Sequence, residues 1–182
     1  FNLYKDALNK DQQIIEAFLI SSFCDEKKES DARYVNLKII DNNEFIFFSN
    51  YDSPKAKQFE KNNKISCVIF WSSIYTQIRL KGMINKTPVS FNKEYFKKRS
   101  PEKNALAISS KQSEIISDYG EITNNYNSAL NKKNLTDCPK HWGGFSFKPY
   151  YFEFWEGHEN RLNKRIVFER KNDNWQKYYL QP

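Results

Sequence analysis

The stretch RYVNLKIIDNNEFIFFSN, residues 33–50, decides the architecture. RYVNLKII and FIFFSN are rich in β-branched and aromatic residues, which predicts two strands, and DNNE between them is the turn. The pattern recurs along the chain. ISCVIFW (65–71) and YTQIRLKGMIN (75–85) predict two more strands joined by SSI. FKPYYFEFW (147–155), RIVFER (165–170) and WQKYYL (175–180) follow, the last two joined by the turn KNDN. AFLISSF (17–23) alternates like a strand entering a core, and CDEKKESDA (24–32) is a polar loop. Helices are predicted for LYKDALNK, DQQIIEAF, PEKNALAIS and EITNNYNSAL. SPKAKQFEKNNK (53–64) is a helix with Ser53 as its cap and Pro54 in its first turn. TPVSFNKEYFKKR (87–99) is a helix opened by a Thr cap and a proline. The strands are linked by hairpins rather than by βαβ crossovers. The fold class is therefore mostly β with α: an antiparallel barrel with helices packed around it.

The chain of 182 residues suits one domain, read as 17–182, with 1–16 as an N-terminal helical extension. Fifteen Phe, 11 Tyr and 4 Trp carry much of the core. No apolar run reaches the ~18–20 residues of a membrane span, and the first residues lack the apolar stretch of a signal peptide. Cys24, Cys67 and Cys138 are odd in number and form no CxxC pair, which predicts reduced thiols and a cytoplasmic location. Two histidines, His141 and His158, do not make a metal site. No Ser-His-Asp or Cys-His arrangement is evident.

The net charge is +7, yet the lysines are interleaved with acids and no nucleic-acid motif is present. Positive charge has a second use, in a pocket for a small anion, and six stretches offer residues for one. Arg33 and Lys38 bracket a strand at odd spacing, which puts them on opposite faces. Ser49 ends a strand, and Ser53, Pro54 and Lys55 open a helix whose N-terminus can receive a phosphate. Gln77 and Arg79 share a strand face. Tyr95 and Arg99 are four apart on a helix, where a phenol and a guanidinium can grip a phosphate. Gln112 and Ser113 lie beside a predicted helix start. Last, FEFWEGHENRLNKR (152–165) brings Trp155, Arg161, Asn163 and Arg165 together after a turn permitted by Gly157. Taken singly, each is also what ordinary caps and solvated strand faces look like.

Taken together and in this order, RYVNLK, FFSN…SPKA, TQIRLKG, YFKKR, SKQS, HWGGF, FEFWEGHENRLNKR and the terminal W…YYLQP resemble the pyridoxamine 5'-phosphate oxidase family, from about residue 17 to the end. The resemblance implies a split β-barrel and a homodimer with FMN at the subunit interface. It implies oxidation of pyridoxamine or pyridoxine 5'-phosphate to pyridoxal 5'-phosphate, with hydride passing to the flavin and O2 reduced to H2O2. It implies no nucleic-acid or membrane partner. Carried over by position, Arg33 and Lys55 hold the FMN phosphate. Tyr34, Val35, Asn36, Leu37, Lys38, Phe48 and Ser49 line the flavin and its ribityl chain. Gln77, Gln112 and Ser113 bind FMN, and Trp155 and Arg165 come from the other subunit. Lys38, Tyr95, Arg99 and Lys103 hold the substrate phosphate, while Arg161 and Asn163 sit over the substrate at the reacting carbon as the catalytic pair. Four departures from the family pattern stand out. Pro54 and Asn163 replace an arginine and a histidine, Lys103 replaces a serine, and RSPEKNALAI replaces the usual RPRxSQIGAW. A related FMN oxidase for a different ring, of the phenazine-pathway kind, and a non-catalytic binder of FMN or pyridoxal phosphate are the alternatives.

Overall fold

The computed structural model describes residues 2–132 and 134–182. Its strands are β1 (Ala17–Cys24), β2 (Glu29–Asn36), β3 (Ile39–Asp41), β4 (Glu44–Asn50), β5 (Lys64–Trp71), β6 (Thr76–Lys86), β7 (Trp142–Glu156), β8 (Lys164–Lys171) and β9 (Asn174–Leu180). Its helices are α1 (Asn2–Asn9), α2 (Pro54–Lys61), α3 (Val89–Lys97), α4 (Pro101–Ser109) and α5 (Gly120–Leu130). The strands form one antiparallel sheet in the order β2-β1-β5-β6-β7-β4-β3, with β8 and β9 added beside β7. The sheet curls around a core of Phe18, Ile20, Phe47, Phe59, Leu80, Phe145 and Phe147 without closing into a ring.

The long strand β7 splits the barrel. Its first half pairs with β4, from Phe45↔Phe147 to Asn50↔Trp142. Its second half pairs with β8, from Tyr151↔Glu169 to Glu156↔Lys164. Between the halves the register against β6 shifts at Lys81/Gly82, a β-bulge. Because strand faces alternate with period two, one extra residue exchanges them. Phe145 and Phe147 face the core before the bulge, whereas Phe152 and Phe154 pack against it after. Glu153 and Trp155 consequently lie on the opposite face, across from Arg79 and Gln77.

Asn42–Asn43 and Asn172–Asp173 all have positive φ, so DNNE and KNDN are tight hairpin turns made by side chains that tolerate left-handed backbone. Other expectations need correction. DQQIIEAF is not helical: Asp11 and Ile14 have positive φ, and the segment is spent on tertiary contacts. The Gln12 carboxamide accepts from the Ser73 N–H, and the Ile15 carbonyl accepts the Trp71 indole. Ala7 of α1 is fully buried in the same core. β2 begins at Glu29, inside the expected loop, and RYVNLKII is broken after Asn36. Ser53 stands at the N-cap of α2 but its hydroxyl does not cap; it donates to the Asn50 carbonyl at 2.7 Å. Thr87 precedes the α3 cap and donates instead to the Asn92 carboxamide oxygen at 2.6 Å. Gly157 is needed for space rather than for a left-handed turn: a Cβ there would lie 2.0 Å from the Tyr75 ring.

Candidate active site

An open cavity of about 990 Å³ lies between β2, β4 and the helical segments α2 to α4. It gathers ten of the predicted cofactor residues: Arg33, Tyr34, Val35, Asn36, Lys38, Phe48, Ser49, Lys55, Gln112 and Ser113. It also gathers Tyr95, Arg99 and Lys103 of the predicted phosphate group. The break after Asn36 explains why Arg33 and Lys38 line one cavity instead of opposite faces. Alternation does not carry across a strand end. Leu37 is the exception within RYVNLK, because its side chain packs against the core.

One group of side chains centres on Lys55. This lysine is 8% exposed, and its ammonium donates to Ser49 Oγ at 3.0 Å, Gln112 Oε1 at 3.0 Å and Ser53 Oγ at 3.2 Å. All three partners are neutral. Burial, with the Arg33 charge adding to it, lowers the Lys55 pKa to about 8, against the opposing charge of Asp31. Arg33 is held on Asp31 and on the Ser22 hydroxyl, which in turn bonds Gln58 of α2. Gln112 belongs to a turn, not to a helix start, and Ser113 has φ 71°.

A second group centres on Arg99. Its guanidinium donates to Asn104 Oδ1 and to the Lys103 carbonyl, both at 3.2 Å, and lies 4.4 Å over the Trp142 ring. Burial lowers its pKa as well. Phe48 links the two groups: it follows on β4 next to Ser49 and stacks on Tyr95 at 3.8 Å and on Trp142 at 5.0 Å. The sequence did not single out Trp142, Lys98 or Asn104. Lys57, which could have stood in for the missing arginine, does not line the cavity; Pro54 and Lys98 do.

The cavity does not include Gln77, Trp155, Arg161, Asn163 or Arg165. These lie on the β6–β7–β8 part of the sheet and the turn after β7. Gln77 pairs with Trp155, and Trp155 with Arg165. At the centre is Glu153, 1% exposed. Its carboxylate accepts from Arg165 Nε at 2.8 Å and the Tyr151 hydroxyl at 2.9 Å, and it pairs with Arg79 at 2.9 Å and a second Arg165 nitrogen at 2.7 Å. Burial alone would raise its pKa, but the hydrogen bonds from Arg165 and Tyr151 and the charge of Arg79 lower it. Beyond β7, Arg161 is held at φ 60° with its N–H on the His158 carbonyl. Asn163 closes the same turn, its Oδ1 accepting the His158 N–H at 3.1 Å. A left-handed arginine is strained backbone, of the kind that persists where a side chain must be aimed.

Among the described residues there is no cluster of metal-ligating side chains, and no helix is long and apolar enough to cross a membrane. Cys24, Cys67 and Cys138 are free.

Comparison with known proteins adds to this geometry. The solved structure of PhzG from Burkholderia lata 383, in complex with tetrahydrophenazine-1-carboxylic acid, superposes with a TM-score of 0.93 at 22% identity, covering 100% of this chain and 89% of that one. A pyridoxamine 5'-phosphate oxidase-related, FMN-binding protein from Nostoc punctiforme superposes at 0.80 with 11% identity, covering 100% and 96%. Both share the split-barrel fold. Among curated relatives, the pyridoxine/pyridoxamine 5'-phosphate oxidase of Leptospira biflexa is 39% identical over 153 residues, 82% of this chain and 72% of its own. Oxidase 1 of Hydrogenovibrio crunogenus is 36% identical over 181 residues, 97% and 83%. Residues 142–182 match the pyridoxine 5'-phosphate oxidase C-terminal dimerisation region. Residues 15–126 match the pyridoxamine 5'-phosphate oxidase family, and the chain belongs to that family.

Proposed function

We propose that this protein oxidises pyridoxamine or pyridoxine 5'-phosphate to pyridoxal 5'-phosphate with FMN as cofactor, O2 as acceptor and H2O2 as product. One observation carries the reading. Two cations, Lys55 and Arg99, lie in one cavity against neutral partners. Taking a cation from water without an opposite charge is costly, so each group is a socket for an anion. FMN and the substrate each bring one phosphate. The fit to FMN is supported by Lys55 and Arg33 beside the N-terminus of α2, where the helix dipole adds to the attraction.

Bound FMN would supply the hydride acceptor. Lys55, Arg33, Ser49, Gln112 and Ser113 hold it, and Tyr34, Val35 and Asn36 flank it. Lys38, Tyr95, Arg99 and Lys103 hold the substrate phosphate, with the Phe48–Tyr95–Trp142 stack between the two anion sites. Gln77, Trp155, Arg161, Asn163 and Arg165 complete the site from a second copy of the chain in a homodimer. Their place on the β6–β7–β8 face and the turn after β7, outside the cavity, supports this, as does the match of 142–182 to a dimerisation region. Residues 17–182 form the oxidase domain.

Lys103 in the cavity and Asn163, whose oxygen is engaged in its own turn, favour a second reading: an FMN oxidase of a different anionic ring. Anaerobic titration separates the two. The FMN-loaded protein should lose its visible flavin band on adding pyridoxamine 5'-phosphate, and air should restore the band as pyridoxal phosphate appears. A bound flavin that stays oxidised would sink the B6 assignment and leave the second reading.

A further inference from the structure

Asn104 is 1% exposed, and a buried carboxamide must have its donors and acceptor matched. Its nitrogen donates to two backbone carbonyls from different parts of the chain: Phe96 on α3 at 3.0 Å and Leu135 before β7 at 2.8 Å. Carbonyls only accept, so these contacts identify the nitrogen and leave the oxygen facing Arg99. Arg99 can only donate, and it does so into that oxygen. The Lys103 carbonyl takes another guanidinium N–H, and the Trp142 ring covers its face. We propose that Asn104 is a positioning residue: with the Lys103 carbonyl and the Trp142 indole it clamps the Arg99 guanidinium in one orientation, so that the phosphate of the substrate meets a preset receptor. The inference rests on the reading of Arg99 as a phosphate ligand.

The physical reason is preorganisation. An arginine on the rim of an open cavity has many rotamers, and ordering it on binding would weaken the complex. Two hydrogen bonds and a ring face remove that freedom beforehand and leave its other N–H groups for the anion. Asn104 sits inside RSPEKNALAI, the stretch that departs most from the family pattern.

The test has two parts. Nitrogen-15 NMR of the arginine side chains, in the protein without substrate, reads the clamp directly. Arg99 should show hindered rotation about Nε–Cζ in the wild type and averaged signals in Asn104→Ala. Equal averaging in both overturns the proposal, whatever the ligand proves to be. The second part is the dissociation constant of pyridoxal 5'-phosphate in a double-mutant cycle with Arg99→Ala. Asn104→Ala should raise it about tenfold in the wild-type background and leave it unchanged when Arg99 is absent. Equal weakening in both backgrounds would mean that Asn104 only ties α3, α4 and the segment before β7 together, and would overturn the positioning role. Should Arg99→Ala itself leave binding unchanged, the phosphate assignment of Arg99 falls while the NMR result still decides the clamp. Should Asn104→Ala fail to fold, the wild-type spectrum alone decides: averaged Arg99 signals there overturn the clamp.

Discussion

Around the cavity, buried Lys55 and half-buried Arg99 are held by hydroxyls, carboxamides and a carbonyl. On the β6–β7–β8 face, Arg79 and Arg165 share the buried carboxylate of Glu153. The difference separates two uses of positive charge. A cation left with neutral partners is a receptor waiting for an anion. Cations that share a buried carboxylate are held in place, and present a fixed surface to something that arrives. Under the proposed function, the cavity and the face are two halves of one site, which two copies of the chain would join.

The sharpest way to break this comparison is to damage the halves separately. Lys55→Ala should abolish oxidase activity through the cavity, and Arg165→Ala through the opposite face. Mixing the two variants under conditions that exchange subunits should restore activity to about a quarter of wild type, because half the dimers are mixed and each has one intact site. An inactive mixture, with mixed dimers demonstrated by mass spectrometry, would mean that both residues serve the same chain's site. Next in size is the division within the cavity. Lys55→Met should weaken FMN about 10- to 100-fold, with little effect on pyridoxal phosphate. Arg99→Met should do the reverse. Calorimetry with each ligand reads this, and equal losses for both ligands would merge the two anion sockets into one.

The pH dependence sharpens the Lys55 side further. Burial places its pKa near 8 in the free protein. Below that pH the ammonium is charged, and above ~6 the FMN phosphate is a dianion. Affinity should therefore be highest between these values and fall about tenfold per pH unit above 8. Stability of the FMN-free protein moves the other way. Between the folded value near 8 and the ordinary lysine value of 10.5, the unfolded chain binds more protons, so stability rises with pH across that window. Lys55→Met should flatten both curves.

Much of this was legible in the sequence, and the failures have physical causes. AFLISSF, FIFFSN, DNNE and KNDN were readable because alternation, strand composition and asparagine turns are local properties. The family stretches were readable because many weak motifs kept their order. DQQIIEAF failed because its polar groups bond to the Trp71 region rather than along a helix. The faces of β7 were not readable, since a bulge leaves no mark in composition. Glu153 and Asn104 were missed because a buried, fully bonded polar residue has the same letter as a solvated one. One signal did exist: Glu153 stands between Phe152 and Phe154, an isolated acid in an aromatic strand.

The smallest expected effect concerns Pro54, which lines the cavity at the start of α2. Proline gives that corner neither a charge nor an N–H. Pro54→Arg supplies both, beside Lys55 and at the positive end of the helix dipole. It should tighten FMN about tenfold. The same change gives up the rigid first turn, so the FMN-free protein should lose about 0.4–1 kcal/mol of stability. The two effects have opposite signs and are separated by measuring FMN affinity and urea unfolding on the same variant. Unchanged affinity with lowered stability would place the FMN phosphate away from the α2 N-terminus. Lys55 would then be a socket for some other anion, and the comparison between the two halves would have to be redrawn from Arg99 outward.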